Sequence, residues 1–188
     1  GKSTLLEALA IKNGLNPEGG TRNYNFSTYD SYSNLHKHMR LWRSRKPDWM
    51  YFLRAESFYN VATKEMEYSG VFSERYHDQS HGQSFFSVLM KQTNKNGLYL
   101  LDEPEAALSC QNQLALLYLI QSCVKQNCQF IIATHSPILL GFPNAQILSF
   151  DEDKVEEVDY KSTSSYQTMK LFLDRYDYFV EDIKENEI

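Results

Sequence analysis

The chain has 188 residues, 42% of them hydrophobic and 23% charged, with a formal net charge of −5. That composition supports a packed core and excludes a disordered chain, and its acidic balance gives free nucleic acid no bulk attraction. Its three cysteines (Cys110, Cys123 and Cys128) form no C-x-x-C pair, which fits a reduced cytoplasmic protein better than a disulfide scaffold.

The elements follow in chain order. Leu5, Leu6, Leu9 and Ala10 fall at helical spacing over Thr4 to Lys12, and Asn13-Gly14 supplies a stop. Residues 16–33 are rich in Gly, Asn, Ser, Thr and Tyr and read as loop or weak strands. In LHKHMRLWRSRK, Leu35, Met39 and Trp42 form an apolar stripe that predicts an amphipathic helix with a basic outer face. WMYFLRA, residues 49–55, reads as a buried strand leading into a short helix, and 34–66 together as a helical insert region. A helix is expected from Gly82 to about Lys95, then a short apolar strand in GLYLLDEP. Gln111 to Lys125 is apolar nearly all round, as for a helix packed between layers. QFIIATHS is a further buried strand. The C-terminal part, 145–188, is expected to hold a hairpin over AQILSFDEDKVEEVDY and one final helix from Ser165 to about Ile183. No apolar run approaches the length of a membrane span. Buried strands alternating with helices predict one α/β domain over 1–188 with a mainly parallel sheet.

Four short motifs carry the chemistry. Gly1-Lys2-Ser3-Thr4 matches the end of the phosphate-loop pattern G-x-x-x-x-G-K-[ST]. Glycine lets backbone N–H groups approach phosphate, lysine reaches the β and γ oxygens, and the Ser3 hydroxyl suits magnesium. The chain opens inside this motif without an initiator Met, so a preceding glycine-rich segment and strand are expected. LYLLDE delivers Asp102 and Glu103 to the end of a strand, where ligands bind in open α/β sheets. Asp102 there suits a magnesium ligand and Glu103 a base for the attacking water. His135 closes FIIATHS and can hydrogen-bond a γ-phosphate. Ser80-His81-Gly82-Gln83 sits at an expected helix start with small residues and free N–H groups, the make-up of an anion site or of an ordinary helix cap.

In this order and rough spacing the four motifs resemble those of ABC-type P-loop ATPases: Walker A, the signature, Walker B with the D-loop, and the switch histidine. SHGQS differs from the transporter pentapeptide LSGGQ, with Gln83 where glycine or glutamate is more usual. DEPEAALS is similar to the AAA/SMC-like soluble members, above all the small single-domain bacterial ATPases, some of which serve in anti-phage defence. The resemblance implies ATP and magnesium as cofactors. It also implies a homodimer in which the signature residues Ser80 to Gln83 of one copy face the ATP held by Gly1 to Thr4 of the other. Catalytic roles fall on Glu103 and His135, and metal ligation on Ser3 and Asp102. The Q-loop glutamine has no clear counterpart, and RAES, with Arg54 and Glu56, occupies its region.

Other readings stay open. His36 to Lys46 carries five Lys/Arg, no acids and Trp42, which suits phosphate contact as well as a solvated surface, so a nucleic-acid or effector-gating module using ATP as a switch is the second reading. A nuclease or other effector protein is the expected partner class. A transporter subunit fits less well, given SHGQS and the missing span.

Overall fold

The computed structural model describes residues 1–21, 33–54, 89–90, 93, 96–150 and 154–185. Two compact units divide the chain, Gly1–Thr134 and His135–Ile188.

The first unit is built on three parallel strands, β1 (Trp49–Arg54), β2 (Gly97–Asp102) and β3 (Gln129–Ala133), in the order β1-β2-β3. This is the α/β class expected of the sequence. Their register is continuous. Arg54 lies beside Asp102 and Asp102 beside Ala133, so the three residues form one row at the carboxyl ends. Because strand side chains alternate between faces, Met50, Phe52 and Arg54 share a face with Leu98, Leu100 and Asp102.

Helix α1 (Lys2–Lys12) covers that face. Its Leu6 and Ala10 pack with Met50, Phe52, Leu100 and Ala133, and Leu9 adds to the same cluster. Full burial of the larger side chains among these, Leu6, Met50, Phe52 and Leu100, contributes about 1.5–3 kcal/mol each. The helix ends as its sequence predicts: the Asn13 amide Nδ2 donates to the Leu9 carbonyl at 2.7 Å, and Gly14 takes a φ of 73°. On the opposite face Tyr99 stacks on Phe130, ring centroids 4.8 Å apart. A Cβ at Gly97 would come within 2.4 Å of the buried Tyr99 ring, so that strand start is restricted to glycine.

Several elements differ from expectation. The helix over 35–46 is confined to α2 (Leu35–His38), and Met39 is already extended at φ −91°, ψ 143°. Trp42, at the far end of the apolar stripe, is 97% exposed and adds no packing there, and short helices hold only by packing. Within 34–66 the described residues are helical only there, with β1 following, and 55–66 lie outside the described residues. Helix α3 (Cys110–Val124) is one-sided rather than sandwiched: Gln113, Leu116, Ile120 and Cys123 are buried while Leu114 and Tyr118 face solvent. Ser109 caps it, its Oγ accepting from the Asn112 N–H. β3 is half-buried, as the last strand in the described order. Burial, and next the neighbouring Cys128, push the Cys123 thiol up to about 11.

The second unit begins with α4 (Pro137–Leu140), followed by the expected hairpin of β4 (Leu148–Ser149) and β5 (Glu156–Glu157). The single terminal helix is two, α5 (Ser164–Asp174) and α6 (Tyr176–Glu185), broken at Arg175, where φ is −130° and ψ 33°. Among the described residues no helix is long and apolar enough to cross a membrane.

Candidate nucleotide site

The direction of α1 decides where the phosphate-loop residues lie. Glu7, in its middle, meets Arg54 at the carboxyl edge of the sheet, with Oε2 to Nη1 at 3.5 Å. Asn13, at its far end, lines a groove with Asn96, Gly97 and Gln129, the amino ends of β2 and β3. The helix therefore runs antiparallel to the strands, its start at the carboxyl edge. Ser3 precedes Glu7 by one turn, about 6 Å of rise, and lies on the stripe that continues through Leu6, Glu7 and Ala10. Lys2, Ser3 and Asp102 thus share one edge, and Ser3 and Asp102 belong to facing surfaces there.

No side chain caps the start of α1. The first N–H groups of a helix lack intrahelical acceptors and carry its positive end, so an anion is favoured by the first turn of α1. Thr4 follows within the first turn.

Asp102 and Glu103 are neighbours in different surroundings. Asp102 is 5% exposed, and its Oδ2 lies 3.5 Å from Arg54 Nε. Glu103 is exposed and sits in the left-handed region, φ 49°, ψ 49°, a conformation that costs a non-glycine residue about 1–2 kcal/mol. Its N–H donates to the Ala133 carbonyl at 2.9 Å, extending the ladder by one bond before the chain turns. Pro104 then opens a short 3-10 turn, Pro104–Ala107.

His135 heads the second unit, two residues after β3 ends. The next residue, Ser136, caps α4, its Oγ accepting from the Ile138 and Leu139 N–H groups at 3.1 and 3.2 Å. His135 lines an open cleft of about 460 Å³ with Pro137, Ser164, Thr168, Met169 and Phe172. The signature residues Ser80, His81, Gly82 and Gln83 lie outside the described residues, as does Glu56.

Among the described residues no group of three His, Cys, Asp or Glu is arranged to hold a metal alone. Magnesium carried on a triphosphate needs only one or two hard oxygen ligands from protein. The Ser3 hydroxyl and the buried Asp102 carboxylate, on one edge, fit that donor set. Sequence reasoning passed over one member of the edge: Arg54, noted only as part of RAES, pairs with Asp102. The signal was available, since WMYFLR and GLYLLD are both apolar strands ending in a charge, and the charges are opposite.

Three parallel strands with α1 across one face, and a buried acid at a strand's carboxyl end, define an α/β architecture. Residues 79–140, a span that includes Asp102, Glu103 and His135, match the family model of the AAA ATPase domain. An uncharacterized ABC transporter ATP-binding protein of Haemophilus influenzae is 29% identical over 93 residues, covering 49% of this chain. The chain spans about a third (35%) of that relative's length. No solved structure matches the chain. Both matches support the chain's likeness to ABC/AAA-type P-loop ATPases.

Proposed function

We propose that the protein binds ATP with magnesium at the carboxyl edge of its parallel sheet and hydrolyses it. One observation carries this reading: α1 runs antiparallel to the strands, which brings its first residues to the same edge and face as the buried carboxylate of Asp102. Lys2 and the first N–H groups of α1 hold the phosphates, and Ser3 and Asp102 hold the magnesium. Bound there, magnesium would supply the charge neutralisation that phosphoryl transfer needs. Glu103, exposed beside Asp102, aligns and deprotonates the attacking water, and His135 contacts the γ-phosphate. The family matches support an ATPase over the segment they cover.

Two copies then close around two nucleotides, each offering Ser80 to Gln83 to its partner's ATP, and the cycle drives or gates a partner protein in DNA maintenance or anti-phage defence. Ser80→Arg is expected to abolish ATP-dependent dimerisation of the full-length Glu103→Gln protein while nucleotide binding by the monomer persists. Light scattering with and without ATP checks this, and dimerisation that survives Ser80→Arg sinks the sandwich.

A second reading, contact with nucleic acid, is favoured by the exposed Trp42 within the basic segment 36–46. Arg43 donates to Asn13 Oδ1 at 2.5 Å and Arg45 to the Asn127 carbonyl at 3.0 Å, which anchors the segment to the amino edge of the sheet. Neutralising Lys37, Arg40 and Arg43 together is expected to flatten the salt dependence of single-strand binding by about two units of log–log slope. An unchanged slope removes the segment from any such contact.

A further inference from the structure

Two neighbouring parallel strands end in opposite charges, and a carboxylate from α1 closes the set. Arg54 approaches Asp102 Oδ2 through Nε at 3.5 Å and Glu7 Oε2 through Nη1 at 3.5 Å, and Nη1 also donates to the Pro17 carbonyl at 3.4 Å. Glu7 uses its other oxygen to accept from the Ser33 N–H at 3.3 Å. The cluster is largely withdrawn from water, with side-chain exposures of 23% for Arg54, 16% for Glu7 and 6% for Asp102.

We infer that Arg54 is a positioning residue for the metal site, tying the Asp102 carboxylate on β2 to the helix that carries Ser3. The inference rests on the assignment of Asp102 and Ser3 to magnesium made above. An acid this buried has little water to balance its charge or fix its orientation, and the Arg54 guanidinium places the opposite charge beside it. The guanidinium suits the task because its rigid fork addresses two carboxylates at once, whereas an ammonium is a single point charge. Through Arg54 the two oxygen donors, one on a helix and one on a strand, keep a common spacing. Removing Arg54 also takes a counter-charge from a buried carboxylate, so folding stability is measured beside the geometry of the site.

The test is equilibrium binding of a fluorescent ATP analogue to the full-length protein, titrated with magnesium chloride and repeated in EDTA. Arg54→Ala is expected to raise the magnesium midpoint roughly 10- to 100-fold, the usual cost of removing a group that orients a metal ligand. Affinity in EDTA stays within about two-fold, because the nucleotide's own contacts are untouched. Arg54→Lys gives an intermediate midpoint. Glu7→Gln, which loosens the tie to α1 and leaves the Asp102 pair, gives a smaller rise. An unchanged or lowered midpoint in Arg54→Ala overturns the inference, as does an equal loss with and without magnesium. Should Arg54→Ala fail to fold, unchanged midpoints in Arg54→Lys and Glu7→Gln overturn it. Asp102→Asn separates the two levels. If it keeps the parental magnesium response, the site assignment fails and the inference with it. If it loses the response while Arg54→Ala keeps it, only the role of Arg54 fails.

Discussion

Replacing Glu103 by glutamine is expected to slow phosphate release from ATP by about 10²- to 10⁴-fold while ATP still binds. Glutamine keeps the shape and length of the side chain but cannot accept the proton of an attacking water. Glu103 is exposed, and its left-handed φ of 49° costs glutamine what it costs glutamate, so folding stability changes by no more than about 0.5 kcal/mol. Asp102, the neighbour proposed for the metal, is buried and untouched. Phosphate release beside nucleotide-binding titrations of the full-length protein separates the two effects, and closed dimers should accumulate in ATP. Hydrolysis at the parental rate would remove Glu103 from the base's role.

Phe52→Ala is expected to destabilise the protein by about 3–5 kcal/mol, a large share of the 5–15 kcal/mol that holds a typical domain together. Phe52 is fully buried and packs in the cluster that joins α1 to the sheet. Its backbone is pinned as well: the Gly20 N–H donates to its carbonyl at 2.7 Å, and its own N–H donates to the Gly20 carbonyl at 3.1 Å. The ring cannot be replaced by a shift of the strand without breaking that pair and the parallel ladder, so a cavity remains. Phe52→Leu, which fills most of the space, should cost no more than about 1.5 kcal/mol. Urea unfolding measures both, and a loss below about 1 kcal/mol for Phe52→Ala would mean that α1 holds to the sheet by other contacts.

Much of this was readable from local pattern. Helix α1 follows from Leu5, Leu6, Leu9 and Ala10 with an Asn-Gly stop, and β1, β2 and β3 from apolar runs too short for helices. The acids of LLDE lie where the strand period puts them. Features set by tertiary surroundings were not readable. The 35–46 stripe has helical spacing, yet Trp42 finds nothing to pack against and the helix stops at His38. Leu114 and Tyr118 are apolar but face solvent, because hydrophobicity alone does not say which faces of α3 are covered. The break at Arg175 has no Gly or Pro to announce it. For the pairing of Arg54 with Asp102 the two terminal charges were legible in the segments, but the register that joins residues 48 positions apart was not. The signature residues lie outside the described residues, so their role rests on resemblance.

The left-handed turn after β2 has an evolutionary corollary. It puts two consecutive acids in separate environments, one walled in by the sheet and one bathed in solvent. On the role proposed for Glu103, a lineage can silence hydrolysis by a single codon change at position 103 without disturbing the interior. On the same proposal, a descendant of that kind would still fold and still grip its nucleotide, acting as a latch rather than a motor.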